Sequence, residues 1–338
     1  MAPCKKVLML TTRPPCRSTL AAFGVAVDCV APGKKPPGDA CLTAVHEFLG
    51  HDLYTELPGH RFAVTADFAA AAAADASRYD ALVVPGGRFV ERLSVDPLAV
   101  SLVAAFAGET ATRRRPVVVT CHSQLLLAAA GAMRGVRCTA FFSMRRVVEL
   151  AGGRWVEPDP LGLCVADGNV LSAIGWPAHG EIIRELLRAM GARVAGGRGQ
   201  AVLFLCADYV DDYEANVLFR ALAGVGCRVE AACPTKRKGE ACVTAIYDAT
   251  PAAASDASSP GRGSIDQGHL LLAAAGLLDG RSCASGVATR VVAGLAGAAS
   301  VRHGGAVADG KLVTAASWPD LAEFIAHIIS LLGITISF

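Results

Sequence analysis

The chain has 338 residues, 53% of them hydrophobic and 18% charged, with a net charge of +2. That is length enough for two domains with cores of their own, and too apolar a composition for a disordered chain. The near-neutral balance provides no electrostatic footprint for nucleic acid or a membrane surface, so neither is expected as a partner.

In chain order, Met1–Lys6 carries lysines, but the apolar run Val7–Leu10 is too short for a secretion signal, so a cytoplasmic location is expected, with nucleus or plastid as alternatives. Lys6–Leu10, Val25–Val30, Ala81–Val84 and Pro116–Thr120 are predicted strands. Ala69–Ala76, Pro97–Ala107, Gln124–Met133 and Gly180–Met190 are predicted helices. Near-continuous apolar strands alternating with helices predict an α/β fold, a parallel sheet covered on both faces. Arg113-Arg114-Arg115 is expected in a solvated loop. His46, His51 and His60 have loop spacing, not the helical spacing of a zinc site, and are expected at the surface or in loop packing. The uncharged run Phe324–Phe338 is short for a membrane span and is expected to be a core helix followed by a strand. Twelve cysteines contain no Cys-x-x-Cys pair. They are expected as reduced thiols, without metal or cofactor.

The sequence also repeats itself. Val7–Leu10 matches Val202–Leu205, Gly24–Lys35 matches Gly226–Arg237, and Asp39–Val45 matches Glu240–Ile246. Leu125–Gly135 matches Leu270–Gly280, and Val165–Pro177 matches Val307–Pro319, in the same order. The offset between matches rises from 195 at Val7 to 202 at Gly24, so the first copy is shorter by 7 residues there. It falls from 201 at Cys41 to 145 at Leu125, so the second copy is shorter by 56. The loop-like stretch Pro251–Gly263 replaces the lost segment, which would have supplied two central strands. Two domains are expected, 1–196 and 197–338, the second truncated.

One position stands out for chemistry. The strand Pro116–Thr120 runs directly into Cys121, then into His122, Ser123 and a helix. A strand–turn–helix elbow holds a nucleophile clear at the carboxyl edge of a sheet, and the helix N-terminus favours a thiolate. The N–H of His122 is one candidate oxyanion donor. Pro85-Gly86-Gly87, after the Ala81–Val84 strand, is placed to supply a second. The alternative is that Cys121 is one more inert thiol among twelve.

Val83–Arg88, Thr120–Gln124, Val30–Lys35, Thr43–Phe48, Trp155–Pro158 and Trp176–His179 together resemble the DJ-1/PfpI family, in its tandem two-domain plant form. The resemblance implies two tandem flavodoxin-like, or class I glutamine amidotransferase-like, sandwiches with Cys121 as nucleophile. It implies a glutathione-independent glyoxalase III activity, converting methylglyoxal to lactate, or a deglycase activity. Some relatives are redox sensors, chaperones or peptidases. Two departures set the expectation for turnover low. The family acid falls on Glu214, in the second copy, while the stretch Thr11–Thr19 of the first copy contains no carboxylate. Conversely, Asp266 and Gln267 replace Cys121 and His122 in the second copy, and Leu321 replaces His179. The expected catalytic pair is Cys121 and His122, with Gly86, Gly87, Arg88 and His179 around the pocket. The expected substrate is a small aldehyde. The alternative is a non-catalytic redox sensor or chaperone-like protein. Apolar surface left by the truncated copy points to a homo-oligomer.

Overall fold

A computed structural model describes residues 5–10, 15–31, 36–45, 57–73, 76–108, 114–246, 264–287 and 289–338. Two compact units divide the chain. The first is built mainly from Gly24–Arg193 and the second from Val194–Thr335, with Ser18–Phe23 counted in the second.

The elements run β1 (Lys6–Leu10), α1 (Pro15–Ala22), β2 (Ala26–Val30), β3 (Ala40–Val45), β4 (Leu57–Ala63), α2 (Phe68–Ala73), β5 (Ala81–Val84), α3 (Phe89–Leu93) and α4 (Pro97–Ala107). They continue with β6 (Val117–Thr120), α5 (Gln124–Ala129), β7 (Arg137–Cys138), α6 (Arg145–Leu150), β8 (Arg154–Trp155), β9 (Cys164–Asp167), β10 (Val170–Ala173) and α7 (His179–Ala189).

Six strands form the sheet of the first unit, in the order β2-β1-β5-β6-β10-β9. All neighbours are parallel except β9 on β10. Every residue of β5 and β6 is buried, which is why those strands are unbroken apolar runs instead of alternating ones. Leu8, Leu10, Leu82, Val84, Val117 and Val119 pack on one face against Phe106 and Leu126. The predicted helix Gln124–Met133 stops at Ala129, because Gly131 turns left-handed at φ 69° and terminates it. His60 departs from its expected surface setting: it lies on β4 and is 2% exposed. His46, His51, Arg113 and the Pro251–Gly263 stretch lie outside the described residues.

The chain goes on through β11 (Arg193–Ala195), β12 (Ala201–Leu205), β13 (Val210–Asp211), α8 (Asp212–Gly224), β14 (Arg228–Ala232), β15 (Thr244–Ala245), α9 (Ser264–Ala274) and β16 (Ser282–Ser285). Last come α10 (Arg290–Leu295), β17 (Ser300–His303), β18 (Ala306–Asp309), β19 (Leu312–Ala315), α11 (Leu321–Leu331) and β20 (Thr335–Ser337). In the second unit the described strands pair two by two: β12 with β14, β13 with β15, β16 with β17 and β18 with β19. β12 alternates exposed and half-buried residues, leaving Leu203 62% and Leu205 63% exposed. A strand covered on both faces in the first unit is covered on one face in the second. The Phe324–Phe338 run divides into the end of α11 and β20. No helix among the described residues is long and apolar enough to cross a membrane.

Candidate active site

β5, β6 and β10 end at one edge of the first unit's sheet, with Val84 level with Val119 and Thr120 level with Ala173. Parallel pairing therefore brings together the residues that follow each strand: Pro85-Gly86-Gly87, Cys121 and Ile174-Gly175. Cys121 makes the turn with φ 59°, in the left-handed region that costs a residue with a Cβ about 1–2 kcal/mol. Its N–H donates to the Ala173 carbonyl at 3.0 Å and its carbonyl accepts from the Phe141 N–H at 3.4 Å. Both backbone groups are fixed, and Cys121 is left half-buried at the sheet edge. Burial pushes the thiols of Cys29 and Cys164 up to about 12 and that of Cys138 up to about 11, so these stay protonated at neutral pH.

The glycines have different tasks. A Cβ on Gly86 would overlap that of Cys121, and would lie 2.9 Å from the Thr120 carbonyl and 3.3 Å from the Cys121 Sγ. Gly86 is thus required for space. Its N–H is already in use, donating to Thr120 Oγ1 at 2.9 Å. Gly87, at φ 131°, and His122 carry N–H groups that make no hydrogen bond among the described residues. These two remain as candidate oxyanion donors. The turn is braced by Ser123 Oγ, donating to the Pro85 carbonyl at 2.7 Å, and by Gln124 Nε2, donating to the Thr139 carbonyl at 2.6 Å. Ala140, Phe141, Met144 and Ile174 form an apolar wall against which Cys121 packs.

His122 is held on two sides. Its ring lies 5.9 Å from that of Phe141, and its Nδ1 lies 3.5 Å from Glu91 Oε1. Its Nε2 is buried and makes no hydrogen bond with any described residue. Glu91 sits in the first turn of α3, directly after the glycine turn. The sequence reading missed it. The available signal was an acid in the first helical turn beyond Gly86-Gly87, on the same sheet edge as the elbow.

The other expected site residues are more scattered. Arg88 is exposed, at the start of α3. His179 is 8% exposed, at the first residue of α7. Glu214 is 1% exposed in the second unit, on α8, where its N–H donates to the capping carboxylate of Asp211 at 2.9 Å. The stretch of the first copy that matches this part of the second, Thr11–Thr19, contains no carboxylate. Among the described residues no cluster of three or more His, Cys, Asp or Glu is placed to hold a metal.

The DJ-1/PfpI family profile matches residues 18–189 and 261–331. The chain is 37% identical to DJ-1 protein homolog E of Arabidopsis thaliana over 378 aligned positions, covering 94% of this chain and 93% of that protein. It is 36% identical to protein DJ-1 homolog D of the same plant, with the same coverage of both chains. Deglycase PfpI of Pyrococcus furiosus is 34% identical over 95 residues, covering 28% of this chain and 52% of that protein. By profile, by full-length similarity and by its flavodoxin-like parallel sheet with a cysteine elbow, the chain belongs to the DJ-1/PfpI family.

Proposed function

We propose that the protein converts small reactive aldehydes such as methylglyoxal to 2-hydroxy acids through Cys121. The Cys121 thiolate adds to the aldehyde carbon, and the hemithioacetal oxyanion is met by the N–H groups of Gly87 and His122. His122 Nε2 then takes the proton from that carbon and returns it to the neighbouring carbonyl carbon, giving the thioester of a 2-hydroxy acid. Water hydrolyses the thioester and frees the thiol, so the sum is aldehyde plus water to acid. Glu91 faces Nδ1 and stabilises the imidazolium formed between the two transfers.

One observation carries this reading. A histidine adjoins the elbow cysteine, with one nitrogen facing a carboxylate and the other buried without a hydrogen-bond partner among the described residues. The deglycase name of an archaeal relative supports reactive-carbonyl chemistry of the same broad kind. The test is lactate formation from methylglyoxal by purified protein and by Cys121→Ser. The expected result is turnover in the first and only the buffer rate in the second. Equal rates would remove the reading.

A second reading, a non-catalytic redox sensor or chaperone-like protein, is favoured by the carboxylate missing from Thr11–Thr19. Oxidation of Cys121 by peroxide in a protein without turnover would support the sensor.

A further inference from the structure

The second unit has no elbow cysteine, yet it gathers thiols at the equivalent sheet edge. Cys206 follows β12 and Cys233 follows β14. These strands are parallel neighbours with Leu205 level with Ala232. Cys206 donates its N–H to the Ala232 carbonyl at 2.9 Å, and its Sγ lies 3.7 Å from the same oxygen. Cys242 is brought to them by the segment that precedes β15. The Val243 N–H donates to Asp208 Oδ1 at 2.9 Å, and the Tyr209 N–H donates to the Val243 carbonyl at 2.6 Å. The Cys242 thiol lies beside those of both Cys233 and Cys206. All three cysteines are partly exposed.

Around them the polar groups favour one thiolate over the other. Cys233 Sγ lies 3.3 Å from Thr235 Oγ1. The Lys236 ammonium, held 2.9 Å from Asp208 Oδ2, adds a positive charge near both sulfurs. The hydrogen bonds from Thr235 first, and then from Cys242, pull the Cys233 thiol below its ordinary range. Partial burial, and its role as donor to Cys233, push Cys242 up to about 11. One thiol is thus disposed to react as the anion, and the other to stay protonated beside it until needed. The first copy does not keep these positions. Ala31 stands for Cys233, Thr11 for Cys206, and Cys41, the match of Cys242, is buried.

We infer that Cys233 and Cys242 are a peroxide-responsive dithiol, closing to an intramolecular disulfide. The Cys233 thiolate attacks one oxygen of hydrogen peroxide. An S–O bond forms, the O–O bond breaks, and hydroxide leaves, so the sulfur is oxidised to sulfenic acid and the peroxide reduced. Cys242 then attacks the sulfenic sulfur. An S–S bond forms, the S–O bond breaks, and the departing hydroxide takes the Cys242 proton as water. This chemistry is separate from that proposed at Cys121.

The chain suits a direct test. Lys236, Arg237 and Lys238 separate the two cysteines, and Arg220 and Arg228 separate both from Cys206, so trypsin places the three in three peptides. Full-length protein is treated with a small excess of hydrogen peroxide at pH 7, alkylated, digested and weighed by mass spectrometry. The expected product joins the Cys233 and Cys242 peptides, is lighter by the two thiol hydrogens, and is lost on reduction with dithiothreitol. It also forms in Cys121→Ser. In Cys242→Ser, Cys233 stops at the sulfenic acid and is labelled by dimedone. Recovery of Cys233 and Cys242 fully alkylated after peroxide would overturn the proposal, as would joining of Cys242 to Cys206 instead. The unsubstituted protein decides the matter even if Cys242→Ser does not fold.

Discussion

Cys121 owes its setting to residues with no chemistry of their own. Gly86 leaves the space its Cβ occupies, and the Thr120 hydroxyl takes up the Gly86 N–H. Gly86→Ala is expected to lower stability by about 1–3 kcal/mol through overpacking and to abolish turnover, measured by urea unfolding and by aldehyde consumption. Glu91→Gln keeps the shape of the side chain but removes the charge that faces His122. Its turnover is expected to fall about tenfold to a hundredfold, less than the ~10²–10⁴-fold attributed to a proton-transfer group itself. Unchanged turnover would give Glu91 a merely structural role. Cys121 and His122 were legible in the sequence because a strand, a turn and a helix are local patterns. Glu91 was not, because the ladder between β5 and β6 brings it to His122 from 31 positions away. Which N–H of Gly86 and Gly87 is already in use was not legible either, because it depends on the Thr120 hydroxyl, in another strand.

Among the elements, the buried strands were the most readable and the helix ends the least. β1 and β5 have the bounds their apolar runs suggested, whereas α5 ends early at a left-handed glycine. α8 shows what a complete helix start looks like. Asp211 accepts from the N–H groups of both Tyr213 and Glu214, satisfying donors that have no intrahelical partner. Asp211→Ala is expected to cost about 1–2 kcal/mol, read as a lower urea midpoint with unchanged slope. The seven-residue difference between the copies falls on the corresponding stretch of the first. The repeat offsets located that loss, and the stretch left in the first copy holds no carboxylate to match Glu214.

At the scale of the molecule, the two units differ in how completely their strands are covered. The first has a six-stranded sheet whose four central strands are buried on both faces, and the second exposes Leu203 and Leu205 on a strand of the same origin. Less apolar area leaves water in the second unit, and stability follows buried apolar area. Heating is expected to give two calorimetric transitions, the lower belonging to the second unit. Limited proteolysis just below that transition should cut within 197–338 and leave the first unit whole. A single transition with simultaneous cleavage of both would show that the units unfold as one. The truncation was legible from the offsets between the repeats. How it is met, by pairs of strands in place of a continuous sheet, was not, because pairing is settled between segments distant in the chain.

The left-handed backbone at Cys121 has a last consequence. Glycine would occupy that turn at no conformational penalty, so a collection of random variants screened for heat tolerance alone would drift toward glycine at position 121. A chain that keeps sulfur there gives up a little robustness to retain it. The thermometer and the assay should therefore rank substitutions at this one site in opposite orders.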